Sequence, residues 1–113
     1  MSDGRAYDLI LTVVNHGFAD VVVDAARTAG ARGGTIMHGR GSGIDEIQKF
    51  LGITVAPEKD IVLTLVPREQ RTAIIHAISR EAGLSKAGHG IAFSLPVDEV
   101  TGLSAYVKSD EHS

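Results

Sequence analysis

The sequence of 113 residues predicts a two-layer α+β sandwich, an antiparallel four-stranded sheet with two helices on one face. Three observations carry that prediction. The run Asp8-Leu9-Ile10-Leu11-Thr12-Val13-Val14 matches Asp60-Ile61-Val62-Leu63-Thr64-Leu65-Val66 position by position, and each run is aliphatic and β-branched, as strands are. Each is followed by a segment of helical periodicity that stops at a glycine, Gly30 in the first half and Gly83 in the second. Each half then closes on a second, shorter β-type run. Two such βαβ units with right-handed crossovers pack most simply as the βαββαβ ferredoxin-like sandwich.

The elements follow in order. After the first strand, Phe18, Val21, Val22, Ala25, Ala26 and Ala29 recur at helical spacing, with Asp20, Asp24 and Arg27 on the opposite side. Gly34 to His38 forms the closing strand of the first half. In the second helix Ile74, Ile75, Ile78 and Ala82 face inward, while Arg71, Ser79 and Arg80 face out. In the last core strand Ile91, Phe93 and Leu95 alternate with Ala92 and Ser94. A short fifth strand has room at Thr101 to Val107, and residues 108–113 form a polar tail.

A sheet covered on one side should alternate apolar and polar residues. Here Leu9, Leu11 and Val13 lie on one side and Ile10 and Val14 on the other; in the repeat, Ile61, Leu63 and Leu65 oppose Val62 and Val66. Two helices cover only one of these faces. The chain is therefore expected to oligomerise through the other.

Composition narrows the function classes. Length points to one domain, residues 1–113, and the absence of Trp with only three Phe and two Tyr makes its core aliphatic. There is no Cys, which excludes disulfides, thiolate catalysis and cysteine metal sites. A net charge of −3 gives no general attraction to nucleic acid or anionic membranes. The N-terminus lacks the apolar core of a signal peptide, and no apolar run approaches the ~20 residues that span a bilayer. A cytoplasmic protein without membrane insertion is expected.

Glycine is concentrated in two places. Six of the fourteen residues from Gly30 to Gly43 are glycine, and Gly83-Leu84-Ser85-Lys86-Ala87-Gly88-His89-Gly90 leads into the last strand. Glycine amides approach a ligand closely, and each loop carries a cation, Arg40 or Lys86. Together these form either an anion cradle of the kind that holds phosphates or ordinary solvated surface charge. Neither loop is a Walker P-loop or a Gly-x-Gly-x-x-Gly dinucleotide fingerprint. Between the halves, residues 39–57 form a long connection. There Ile44, Ile47, Phe50 and Leu51 predict a short amphipathic helix, docked either on its own domain or on another protein. Catalysis is not expected. Ser42 and Ser85 lack a nucleophile-elbow context, and the five histidines show no metal-ligand spacing along the chain, so no metal is expected either. His89, between Gly88 and Gly90, is the one histidine placed where a phosphate could sit.

From about Tyr7 to Val100 the layout resembles the PII signal-transduction family, especially its branch with short or altered loops. Gly33-Gly34-Thr35-Ile36-Met37 followed by Gly41-Ser42-Gly43 is similar to the strand leading into that family's T-loop. Gly88-His89-Gly90 with Ile91-Ala92-Phe93-Ser94-Leu95-Pro96-Val97-Asp98-Glu99-Val100 is similar to its B-loop and last core strand. The resemblance implies a non-enzymatic homotrimer with an adenine nucleotide (ADP, AMP or ATP) in each cleft between subunits. It also implies a partner, a membrane transporter or an enzyme, addressed through the T-loop-like connection at 39–57. By this resemblance Thr35 lies near the base or ribose, and Gly41, Ser42 and Gly43 line the T-loop base, where Arg40 is the candidate cation. Thr64 meets the adenine edge through its backbone, and Lys86, Ala87, Gly88, His89 and Gly90 face the phosphates.

The sequence also departs from the family pattern. The connection is shorter and has no tyrosine, which rules out uridylylation there. Asp45 replaces the glutamine that helps bind metal and 2-oxoglutarate, which argues against that sensing. Ile91 replaces the lysine after the B-loop glycines, and Gly102 and Ser104 stand where arginines are expected. Fewer cations weaken the most charged ligand most, so ADP or AMP is favoured over ATP. The alternative is a CutA-like metal-binding or structural trimer with His38 and His89 as candidate ligands. An acylphosphatase is disfavoured, because Asn15-His16-Gly17 stands where its phosphate loop would follow the first strand.

Overall fold

The structure, a computed structural model, describes residues 6–41, 48–50 and 53–103. In chain order it contains β1 (Tyr7–Asn15), α1 (Ala19–Thr28), β2 (Thr35–Arg40), β3 (Gln48–Phe50), β4 (Ile53–Val55), β5 (Glu58–Pro67), a 3-10 turn (Arg68–Gln70), α2 (Arg71–Ala82) and β6 (Gly90–Val97). The main sheet runs β2-β5-β1-β6 and is antiparallel throughout. The two repeat strands lie side by side at its centre, with Leu9 opposite Leu65 and Leu11 opposite Leu63. Both helices lie on one face, packed on each other, α1 also on β5 and α2 on β6. This is the ferredoxin-like sandwich that the repeat predicts.

The core lies between sheet and helices. Ile10, Val14, Val62 and Val66 from the central strands meet Val22, Ala25 and Ala26 of α1 and Ile74 and Ile78 of α2, all of them buried. Small alanines let α1 approach the sheet closely, and the branched residues fill the space between. Gly83 ends α2 in the left-handed conformation, with φ 67°.

Among the described residues nothing covers the opposite face. The register aligns Leu9, Leu65 and Leu95 in one row, Leu11, Leu63 and Phe93 in the next, and Val13, Ile61 and Ile91 in a third, with Met37 beyond Ile61. On the outer strands Ile91 is 57 % exposed, Leu95 44 %, and Phe93 and Met37 42 % each. An apolar surface of this extent on a small domain marks an interaction face.

Four sequence expectations change. Phe18 sits at the N-cap of α1 and is exposed, and Ala19 takes the inward place instead. Arg71 does not simply face solvent; it reaches back to the carboxylate of Asp8. The helix expected over 44–51 is not formed at its end, because Gln48–Phe50 is a strand paired with Ile53–Val55. The β-branched run Ile53-Thr54-Val55 supplies that strand with a partner, and a local β-pair outcompetes a single helical turn. The rest of the expected helix lies outside the described residues. Of the fifth strand expected at 101–107, Thr101 to Leu103 are not in a strand. The remainder, like the tail, lies outside the described residues.

Candidate functional site

The antiparallel register brings the C-terminal ends of β1 and β2 and the N-terminal ends of β5 and β6 to one end of the sheet. There Arg40 stands opposite Glu58, Gly39 opposite Lys59, Asn15 opposite Lys59, and Val14 opposite Gly90. Hydrogen bonds tie this end together across the strands. Asn15 Nδ2 donates to Gly88 O at 2.9 Å, and Lys59 Nζ donates to Asn15 Oδ1 at 2.7 Å. The stem of Lys59 is buried (7 % exposed), so its ammonium is held where an ordinary surface lysine would swing free. The Gly41 amide donates to Pro57 O at 3.2 Å and closes the base of the 39–57 connection.

The expected site residues divide into two groups. Arg40 and Gly41 lie at the β2 edge, while Lys86, Ala87, Gly88 and His89 form an exposed loop entering β6 at the far edge. Both groups share one sheet end, but β5 and β1 lie between them, so they do not meet within one chain. Thr35 opens β2 opposite Leu63. Thr64 is the next residue of β5, just past that ladder, and its buried Oγ1 has no hydrogen-bond partner among the described residues. Ser42 and Gly43 lie outside the described residues. Gly90 is fixed by its surroundings: it has φ 145°, and a Cβ there would stand 2.4 Å from Val13 O.

A second cluster lies at the same end, and sequence spacing did not reveal it. Asp60 is buried on the helix side of β5, and two histidines converge on it. His16 Nδ1 and His38 Nδ1 each lie 2.9 Å from Asp60 Oδ1, and the Gly17 amide donates to Oδ2 at 2.9 Å. His38 faces Asp60 across the β2–β5 ladder, and His16 arrives from the turn after β1, where Gly17 adopts φ 100°. The rings stand edge to face with centroids 5.8 Å apart. Burial opposes ionisation of Asp60, but the Gly17 amide and the two imidazoles outweigh it and hold the carboxyl at about 2. Hydrogen bonding to Asp60, together with its charge, raises the pKa of His16 above the ordinary histidine value. The aspartate is 4 % exposed, whereas the rings are 59 % and 69 % exposed and border an open depression shared with Gly39, Arg40, Glu58 and Lys59.

The opposite end of the sheet holds the repeat counterpart. Asp8 is fully buried, accepts two hydrogen bonds from Arg68 at 3.1 and 3.0 Å through Oδ1, and one from Arg71 at 2.8 Å through Oδ2. The hydrogen bonds from Arg68 lower its pKa, burial opposes them, and the guanidinium charges add to the lowering.

Architecturally this is a ferredoxin-like α+β sandwich with an open, apolar sheet face. The chain matches the family model of Nitrogen regulatory protein P-II over residues 7–105, most of its length, and it belongs to that family. Among curated proteins none matches the chain closely. P-II proteins are regulatory, signal-transducing proteins, not enzymes; they generally bind adenine nucleotides as effectors and typically form trimers. Among the described residues no helix is long and apolar enough to cross a membrane.

Proposed function

We propose that this chain is a non-enzymatic P-II-type regulator that assembles as a homotrimer through its open sheet face. It binds an adenine nucleotide, ADP or AMP ahead of ATP, in the clefts between subunits. It acts on a partner protein, a membrane transporter or an enzyme, through the connection at 39–57. The observation that carries this reading is the bare sheet face with its two glycine loops. Three rows of aliphatic and aromatic side chains need a cover, and the loops stand at opposite edges of one sheet end. In the assembly proposed here, one chain's β2 edge meets its neighbour's β6 edge. The two half-sites then form one cleft.

In that cleft Lys86 and the amides of Ala87 to Gly90 hold phosphate oxygens, with Arg40 on the facing side. Thr35 and the edge of β5 past the β2 ladder, at Thr64, take the base and ribose. Ser42 and Gly43 complete the base of the connection. The energy for signalling is the difference in nucleotide affinity between two states of the 39–57 connection. The CutA-like alternative with His38 and His89 as joint ligands is weakened within one chain, because these histidines lie at opposite sheet edges.

A thermal-shift panel tests the reading. ADP and AMP are expected to raise the melting midpoint in proportion to the logarithm of their concentration, by mass action. Lys86→Ala, an exposed substitution, is expected to remove most of that rise without moving the ligand-free midpoint. No shift with any adenine nucleotide contradicts the proposal. Gly90 is unsuitable for this test, because any side chain there collides with β1.

A further inference from the structure

The cluster His16, His38 and Asp60 has a use beyond holding the end of the sheet. We propose that these three side chains form a binding site for a divalent transition-metal ion, with zinc(II) the best-fitting ion, beside the proposed nucleotide cleft and bordering it at Arg40. One donor atom from each residue lies within 4.8 Å of the others. A tetrahedral zinc site with bonds of about 2.1 Å has donor–donor edges of roughly 3.4 Å. Both Asp60–His contacts are 2.9 Å, so a small outward rotation of the two rings admits the ion.

Three features favour a metal over a plain hydrogen-bond cluster. First, the carboxylate is pre-set: the Gly17 amide fixes Oδ2, and Oδ1 is aimed at both imidazoles. Second, the rings that must move are the exposed members, 59 % and 69 % exposed, while the buried member can stay still. Third, three ligands leave a coordination position open on the solvent side, toward the depression lined by Gly39, Arg40, Glu58 and Lys59. Two imidazole nitrogens and one carboxylate suit zinc, copper or nickel, whereas magnesium and calcium prefer all-oxygen sites. The neighbouring Arg40 and Lys59 lower the affinity for a bare cation and favour an anionic fourth ligand.

The ion would link two exposed rings on different elements. His16 belongs to the β1–α1 turn, and His38 lies two residues before Arg40, at the root of the 39–57 connection. Binding therefore clamps that root to the turn. The proposal does not depend on the nucleotide reading.

Cobalt(II) titration of the chelator-stripped full chain tests it, since tetrahedral cobalt shows visible d–d absorption and zinc does not. The expected result is saturation at one cobalt per chain, with displacement by zinc. His16→Gln and His38→Gln, both exposed positions whose fold is checked by circular dichroism, are each expected to weaken binding by at least ~100-fold. His76→Gln is expected to leave it unchanged. Absence of a saturable cobalt signal in the native chain overturns the proposal, as does a signal that survives in the His16→Gln, His38→Gln double variant.

Discussion

Asp8 and Asp60 occupy the same place in the internal repeat, one near the start of β1 and the other near the start of β5, at opposite ends of the sheet. Both are buried on the helix side, and each reaches the segment that follows the other central strand. Their partners differ. Asp8 is held by two guanidinium groups, Asp60 by one backbone amide and two imidazoles. Guanidinium is permanently charged and has donors but no lone pair to offer. Imidazole can give up a proton and present a lone pair. One backbone device, a buried carboxylate fastening the next loop, thus becomes a fixed lock or a ligand site according to which side chains meet it. The lock lies away from the glycine loops; the changeable end lies beside them.

The sharpest way to break this distinction is to remove each set of partners. Arg68→Gln with Arg71→Gln leaves a buried carboxylate without a counter-charge, and the melting midpoint is expected to fall by more than ~10 °C. The matching His16→Gln, His38→Gln variant, stripped of metal, is expected to lose much less, because Gly17 still serves Asp60 and both rings were exposed. Differential scanning calorimetry measures both. Equal losses would erase the difference between lock and site.

A smaller effect sharpens the account of the lock through pH. The Arg68 hydrogen bonds hold Asp8 below its ordinary value of 3.8. A lowered folded pKa contributes stability that is complete above the unfolded value and lost as pH falls through the folded one. In urea melts, the stability gap between the native chain and Asp8→Asn is expected to stay constant from neutral pH to about pH 4 and to narrow below it. A gap that widens on acidification contradicts the assignment.

Much of this was legible in the chain. The repeat Asp8–Val14 and Asp60–Val66 marked two strands and an apolar face left open by the helices, because period-2 patterns report both faces of a strand directly, whereas the pairing of the two at the sheet centre depends on the register. The same repeat aligned Asp8 with Asp60 but could not say what each carboxylate meets. His16 and Asp60 lie 44 positions apart, and only the β2–β5 register and the turn at Gly17 bring His38 and His16 to one oxygen. A charged residue at matching positions in two otherwise apolar strands was the available signal. Arg71 departs from its expected outward place because helical periodicity sorts apolar from polar faces and does not follow a long side chain at the first turn back to the sheet. The apolar spacing from Ile44 to Leu51 was too short to separate one helical turn from a strand edge.

The central claim, an adenine nucleotide held between subunits that meet through the bare sheet face, is tested most directly by native mass spectrometry of the full chain with ADP. An assembly of three chains carrying up to three ADP molecules is expected, with no ADP on dissociated monomers. A monomeric chain, or a trimer that takes up no adenine nucleotide, would contradict it.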